Sequence, residues 1–361
     1  MRYTLVSLAA RPLSVPLRTP FVIATGRVDV TPNVLVTVEV RDNATGIVCR
    51  GYGEGATLPP VTHQTQPDVL ADLARAAALL PVGLVDAAVP PGMDLGQSAS
   101  AGLDMALADA VARHRGAPVW RVLAPDAQSA PLRSDVTIAI AAPEEMARTA
   151  ASWALRGFDC FKVKVGKNAA EDLQALVAIA QAVPGALLRI DANAGFDRAT
   201  ALAFCDQLLA RDLPVQCFEQ PCGAADLEGL AAVRAAVPFD VIADESCQCL
   251  ADVQRLLDAQ AVDAINLKLA KTGSLRAALA MGRLAQANGL SLMVGAMVET
   301  RLGIAAAAHL AFALGGVAFA DLDTAWLLAG DPFVGEAVGK GPEIGVPLGA
   351  GLGLALAFPD V

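Results

Sequence analysis

Three carboxylates, Asp191, Glu219 and Asp244, each close a short apolar or β-branched run, and they stand 28 and 25 residues apart. Lysines occupy the matching ends of the runs before and after them: FKVKVG carries Lys162 and Lys164, and INLKLAKTG carries Lys268. Between these lie LLRIDANAGF, with Asn193 two residues after Asp191, then CFEQP, then VIADES, which adds Glu245. One strand, one helix and two turns take roughly 30 residues, so each motif falls once per βα unit. In a barrel made of such units the catalytic groups come from the C-terminal ends of the strands, and every polar residue named here sits at that end. Taken singly, a strand-end aspartate is more often a helix N-cap or a solvated loop residue. Five strand ends in register are not explained that way.

The chemistry follows from the residue types. Three carboxylates with no His or Cys form an all-oxygen set that selects a hard divalent cation, Mg²⁺ with Mn²⁺ as a substitute, over zinc. Residues two apart on a strand face the same way, so Lys162 and Lys164 point into the barrel together, as do Asp191 with Asn193 and Asp321 with Asp323 of FADLDTAW. Lys268 falls opposite Lys164 around the barrel, which puts one amine on each side of the cation. The cation and the second lysine are both expected to disfavour the ammonium form and lower a lysine pKa. This arrangement suits removal and return of a proton beside a carboxylate, through a metal-stabilised enediolate and without a redox cofactor.

The elements that must position these groups are legible in outline. At 361 residues the chain exceeds the roughly 250 of a bare barrel and leaves material for a second domain. Strand-like PNVLVTVEVRD leads through a turn to GIVCRGYGEGATLPP, and helical segments follow through AGLDMALADAVARHRGAPVWRVL, which predicts an α+β domain over 1–125. Strand and helix then alternate from SDVTIAI, containing Thr137, to FADLDTAW, which predicts a barrel over 126–328. The Gly- and Pro-rich segment 329–361 is expected to return to the first domain and pack closely on it.

Composition narrows the function. A net charge of -10, a pI near 4.8 and no basic run argue against nucleic acid or an anionic membrane as partner. Mean hydropathy is high at +0.48, and Leu302 to Ala320 is almost uncharged, but it is mostly Ala and Gly, contains His309 and runs into DLD. It therefore reads as a buried barrel helix and the last strand. The opening MRYTLVSLAARPLSVPL alternates like a strand and has no signal-peptide core. Seven cysteines without repeated spacing suggest reduced thiols in a cytoplasmic protein. Cys247 and Cys249 form a C-x-C pair with no second pair to complete a soft-metal site.

Together these residues resemble the enolase superfamily in its muconate lactonizing branch, over nearly the whole chain: GYGEG, the AGLDMALADAVARHRGAPVWRVL helices, K-x-K, D-x-N, E-Q-P, A-D-E-S, N-x-K-x-x-K-x-G and G-A-M-V-E-T. The resemblance implies an α/β fold, a (β/α)7β modified TIM barrel with an N-terminal α+β capping domain completed by the C-terminal tail. It implies Lys164 and Lys268 as the acid/base pair and Asp191, Glu219 and Asp244 as metal ligands. The His that mandelate racemase relatives carry on the seventh strand is absent from Gly295–Thr300, and His63, His114 and His309 are expected in surface or packing roles.

Within the two-lysine members, dipeptide epimerases resembling L-Ala-D/L-Glu epimerase carry a D-x-D on the eighth strand that holds the α-ammonium of the substrate, and Asp321 and Asp323 match it. Two anions suit a primary amine better than a dicarboxylate. By the same resemblance Thr137, Lys162, Ala296 and Val298 line the substrate, while Asn193, Glu245 and Glu299 orient lysines or ligands. The specificity loops contain Thr25, Gly26, Arg27 and Leu58. Gly26 stands where the Ala-Glu enzymes have arginine, with Arg27 one residue later. Leu58, Pro59, Pro60 and Val61 suit an apolar side chain. The reading is Mg²⁺-dependent epimerisation at the α-carbon of the C-terminal residue of a dipeptide. An N-acylamino acid racemase or o-succinylbenzoate synthase, a muconate-type cycloisomerase, and a barrel that only binds peptide or metal remain open alternatives. Relatives in this branch are often homo-oligomers, so self-association is the one macromolecular partnership the resemblance suggests.

Overall fold

The computed structural model describes residues 1–24, 26–59, 61–85, 87–128, 130–335, 339 and 341–357. The N-terminal part comprises β1 (Tyr3–Leu13), β2 (Pro16–Ile23), β3 (Gly26–Val30), β4 (Asn33–Asp42), β5 (Val48–Gly55), α1 (Gln66–Ala77), β6 (Val82–Leu84), α2 (Gln97–His114) and α3 (Val119–Leu123). The barrel part runs β7 (Leu132–Arg133), β8 (Val136–Ile138), α4 (Pro143–Ala154), β9 (Cys160–Lys164), α5 (Ala169–Ala182), β10 (Leu187–Asp191), α6 (Arg198–Leu209), β11 (Val215–Glu219), α7 (Leu227–Ala236) and β12 (Asp240–Ala243). It continues with α8 (Leu250–Asp258), β13 (Ala264–Leu267), α9 (Leu269–Thr272), α10 (Leu275–Ala287), β14 (Ser291–Gly295), α11 (Arg301–Leu314), β15 (Phe319–Asp321) and α12 (Thr324–Leu327), and the chain ends with β16 (Phe333–Gly335), β17 (Glu343–Ile344) and β18 (Leu354–Leu356).

Strands β8 to β15 form one parallel eight-stranded sheet in sequence order, and a bridge between Ser134 and Ala320 closes it into a barrel. Seven long helices connect the eight strands, and only the four-residue α12 follows the last. The α/β barrel and the strand-then-helix N-terminal part are thus as the sequence indicates. So is the apolar stretch after Leu302, which is the buried helix α11 followed by β15. Among the described residues no helix is long and apolar enough to cross a membrane.

The barrel interior is filled below the site by Cys217, Ile242, Ala264, Met293 and Phe319, all buried. Arg189 lies among them, bonded to Asp135 at 2.8 Å with its guanidinium 5.1 Å from the Phe319 ring, so the barrel is a packed core rather than a pore.

The N-terminal sheet has the order β5-β4-β1-β6. GYGEG alternates for a packing reason. A Cβ on Gly51 would stand 2.1 Å from the Ala106 carbonyl, and one on Gly53 2.0 Å from that of Gly102. Helix α2 therefore lies directly on β5, while Glu54 points to the other face of the strand. The last strands come back to this region: Gly351 exchanges backbone bonds with Ala117 and Val119, Leu352 N–H donates to Asp109, and Arg113 donates to the Leu354 carbonyl.

Candidate active site

Strand register places the three carboxylates. Asp191 pairs directly with Glu219 across β10 and β11, and Glu219 pairs with Ile242, two residues before Asp244. All three are buried. Lys164 pairs with Asp191 across β9 and β10, and its Nζ stands 2.6 Å from Asp191 Oδ2. Lys268 follows β13, four strands around the eight-stranded barrel from β9, and its Nζ lies 2.8 Å from Asp244 Oδ2. Gly295 makes room for it, since a Cβ there would stand 2.9 Å from Asn266 Oδ1 and 3.2 Å from Lys268 Cε.

Lys162 is the hub of this charge cluster. Its Nζ is 2.6 Å from Asp321, 2.7 Å from Glu219 Oε2 and 3.0 Å from Asp191. Burial disfavours its charge, but the carboxylates of Asp321, Glu219 and Asp191 outweigh burial and hold it as an ammonium, well above the usual lysine range. For Lys268 burial likewise acts to lower the pKa, while Asp244 and the neighbouring carboxylates push it upward overall. Conversely, Lys164, Lys162 and Lys268 overcome burial to hold Asp191 below the normal carboxylate range, and Lys268 and Lys271 do the same for Asp244. Glu219 is raised, by burial and then by Asp191.

Among the described residues no three Asp, Glu, His or Cys side chains converge closely enough to hold a cation as they stand, because Lys162 and Lys268 reach in between the carboxylates. The donor set nevertheless fits a hard divalent ion. It is all oxygen, it comes from three adjacent strands, and Glu219 Oε2 is buried without a hydrogen bond, its 2.7 Å contact with Lys162 lacking hydrogen-bond geometry.

Lys162 and Lys164 share a face of β9 as strand alternation predicts, but the other two polar pairs are brought together by turns instead. Asn193 lies beyond the end of β10 with φ +43°, where its Oδ1 accepts from Lys164 at 3.3 Å and its Nδ2 donates to Glu245 at 3.3 Å. Burial, then Asp244 and Asp191, raise Glu245 to about 8. Asp323 likewise stands past β15, at the start of α12. It does not cap that helix; its Oδ2 accepts from the Thr137 N–H at 2.5 Å. Its Oδ1 is buried without a partner. Burial and Asp321 raise Asp323 to about 6, whereas Lys162 outweighs burial to lower Asp321.

These groups face one small enclosed cavity. Lys164, Lys268, Asn193, Thr137, Asp321 and Asp323 form its polar side, and Phe21, Ile23, Leu58, Val61, Met297 and Val298 its apolar side, with Ala296 also in the wall. Three of the residues singled out from the sequence are engaged within the protein. Val298 offers its side chain, but its carbonyl accepts from Asn33 Nδ2 at 2.8 Å. Glu299 makes no side-chain hydrogen bond to a lysine or a carboxylate ligand among the described residues. Its Oε1 accepts from the Met297 N–H of its own loop, and burial with Glu54 nearby raises it to about 8. Arg27 bonds Asp29 at 3.0 and 2.8 Å, both side chains more than half exposed, and does not line the cavity. Gly26 has open space around it, and Thr25 and Pro60 lie outside the described residues.

Several supporting residues carried no sequence reading. Lys271 is buried and donates to the carboxylate and carbonyl of Asp244 and to the carbonyls of Cys247 and Asn266. Gln220 accepts from the N–H groups of Asp244 and Ser246, and Asn266 donates to Glu219 at 2.8 Å. The only signal for them was position: Lys271 and Asn266 sit inside the N-x-K-x-x-K motif, and Gln220 inside E-Q-P. The histidines stand clear of the cavity: His63 is exposed, His114 pairs with Asp42 at 2.8 Å and His309 accepts from the Trp120 N–H.

Comparison with known proteins places this geometry. Residues 6–124 match the mandelate racemase/muconate lactonizing enzyme N-terminal domain, and residues 145–361 match the enolase C-terminal domain-like family. A hydrophobic dipeptide epimerase of Citrifermentans bemidjiense is 38% identical over 355 residues, which cover 92% of this chain and 94% of that one. An aromatic dipeptide epimerase of Herpetosiphon aurantiacus is 36% identical over 364 residues, covering 99% of this chain and 100% of that one. The crystal structure of a dipeptide epimerase from Enterococcus faecalis, complexed with Mg and the dipeptide L-Leu-L-Tyr, matches with a TM-score of 0.89 at 30% identity, over 98% of this chain and 99% of that one. The chain belongs to the enolase superfamily, in the mandelate racemase/muconate lactonizing enzyme group that contains the dipeptide epimerases.

Proposed function

We propose that this protein is a Mg²⁺-dependent dipeptide epimerase that inverts the α-carbon of the C-terminal residue. The observation that carries the reading is one cavity faced by Lys164 and Lys268 from opposite strands and by the unpartnered buried oxygen of Asp323. Asp191, Glu219 and Asp244 would hold the cation. Bound there, it would draw negative charge from the substrate carboxylate and so acidify the adjacent α-proton. One lysine, as the free amine, takes that proton from one face of the α-carbon, and the other, as the ammonium, returns one to the opposite face. Asp321 and Asp323 receive the substrate's α-ammonium, which supplies the partner that Asp323 Oδ1 lacks within the protein.

Lys162 stays charged and ties Asp321 to the cation ligands. Asn193 links Lys164 to Glu245 and fixes the amine's direction. The wall of Phe21, Ile23, Leu58 and Val61, with Arg27 turned to Asp29, favours an apolar side chain on the epimerised residue over an acidic one. We assign residues 1–125 and 329–361 to the capping unit and 126–328 to the barrel. Deuterium incorporation at the α-carbon, followed by NMR over a panel of L-Ala-L-Xaa dipeptides, tests the reading. Exchange with inversion, fastest for apolar Xaa, is expected. N-acetylated amino acids outrunning every free dipeptide would move the assignment to the racemase class.

A further inference from the structure

The cavity over the two lysines does not end at its own walls. It leaves only about 30 Å³ for water-sized molecules, yet Phe21 and Thr137 also line a second, larger groove of about 490 Å³. That volume is within the roughly 300–1,000 Å³ of small-molecule sites. The floor of the groove is apolar: Ala139 just beyond β8, Met146 and Trp153 of α4, and Trp326 of α12. Thr137 marks the junction, since its N–H donates to Asp323 on the cavity side while its residue also borders the groove.

We propose that this groove is the subsite for the side chain of the substrate's N-terminal residue, and that it takes large apolar or aromatic side chains. The inference rests on the dipeptide reading above. The α-ammonium and the side chain of an amino acid leave the same carbon. An ammonium held by Asp321 and Asp323 therefore starts its side chain beside Thr137, where the groove opens. Tryptophan and methionine offer large contact area with little demand for a polar partner. The cations around the groove do not call for an acidic side chain: Arg27 is bonded to Asp29, Arg156 lies 4.1 Å over the Trp153 ring, and Arg18 shares the rim with Glu145.

The test compares kcat/KM for deuterium exchange of L-Ala-L-Leu and L-Trp-L-Leu in the wild type and in two variants that fill the groove, Ala139→Phe and Thr149→Trp. Thr149 is a half-buried residue of α4 that lines the groove and lies outside the hydrophobic core, so its replacement spares the core. The wild type should process L-Trp-L-Leu at least as well as L-Ala-L-Leu, and each variant should lower the Trp-Leu to Ala-Leu ratio at least tenfold. A folding or catalytic defect moves both substrates and cancels in the ratio. A wild-type ratio below one tenth, or a ratio that neither variant changes, overturns the groove assignment while exchange of L-Ala-L-Leu leaves the epimerase reading standing. No exchange with either dipeptide overturns that reading and this inference with it.

Discussion

Glu54, on β5 of the N-terminal sheet, accepts both the N–H and the hydroxyl of Thr300, 246 residues later at the start of α11, with the hydroxyl at 2.6 Å. The Gly303 N–H adds a bond of 3.0 Å and Asn33 Nδ2 one of 2.6 Å. A carboxylate from one sheet thus caps a helix of the other domain and satisfies donors that the helix cannot satisfy itself. The same Asn33 holds the carbonyl of Val298, so the loop that walls the cavity is fixed from the N-terminal side.

Glu54→Gln should therefore destabilise the protein by about 1–3 kcal/mol, because the new NH₂ meets backbone donors instead of accepting from them. A urea midpoint unchanged from wild type would show that water or a rearranged loop replaces the carboxylate.

Lys164→Ala and Lys268→Ala should each abolish inversion. Each should retain α-proton exchange with a single epimer through the remaining lysine, and the two variants should differ in which epimer that is. Exchange of both epimers by either variant contradicts a two-base mechanism.

Chelation should remove activity, with Mg²⁺ or Mn²⁺ restoring it and Zn²⁺ doing so poorly, since Zn²⁺ favours four-coordinate sites with softer ligands. Asp244→Asn should raise the Mg²⁺ concentration needed for half-maximal activity while leaving the circular dichroism spectrum intact, because Asp244 lies at a strand end above the packed interior. Full turnover by exhaustively chelated protein rules the site out.

Asp323→Asn should lower kcat/KM for a free dipeptide at least about tenfold, roughly 1.4 kcal/mol, since losing one partner of a buried charge pair costs about 3–5 kcal/mol. N-acetylation of the substrate should cost the wild type a similar factor and the variant much less. Equal losses in both would mean that Asp323 does not meet the ammonium.

His309 is fully buried, with Nδ1 accepting from the Trp120 N–H at 3.0 Å and Nε2 unpartnered. Burial pushes it down from 6.5 to about 4. Between these values the unfolded chain binds a proton that the folded chain refuses, so its contribution is complete above pH 6.5 and is lost as pH falls toward 4. The loss has a ceiling of about 3 kcal/mol at about 1.4 kcal/mol per pKa unit. His309→Asn keeps an acceptor but does not titrate. The stability difference between wild type and variant should shrink or reverse across that window, and a pH-independent difference refutes the assignment.

The residues legible in the sequence were those whose role depends on a local pattern. A polar residue closing an apolar run is visible without a partner, which is why Lys164, Asp191, Glu219 and Lys268 and the parallel barrel could be read. Asn193 and Asp323 were assigned to the right place for the wrong reason, because backbone turns rather than strand alternation aim them. Glu54, Lys271 and the groove beyond Phe21 depend on packing between segments far apart in the chain, and the sequence marks the first two only by their place in GYGEG and N-x-K-x-x-K. Arg27 stayed open at the finest scale, where a neighbouring Asp29 competes for the guanidinium that substrate would need.

The return of the last strands to α2 has a consequence for biosynthesis. Asp109 is buried and receives the Leu352 N–H from 243 residues downstream, and Gly351 at φ +73° approaches it too closely for any side chain. A chain emerging from the ribosome makes this sheet and helix well before their partner segment, so the carboxylate beneath them waits for a donor translated 243 residues later. Until that segment arrives, the nascent sheet and helix carry a buried carboxylate short of one partner.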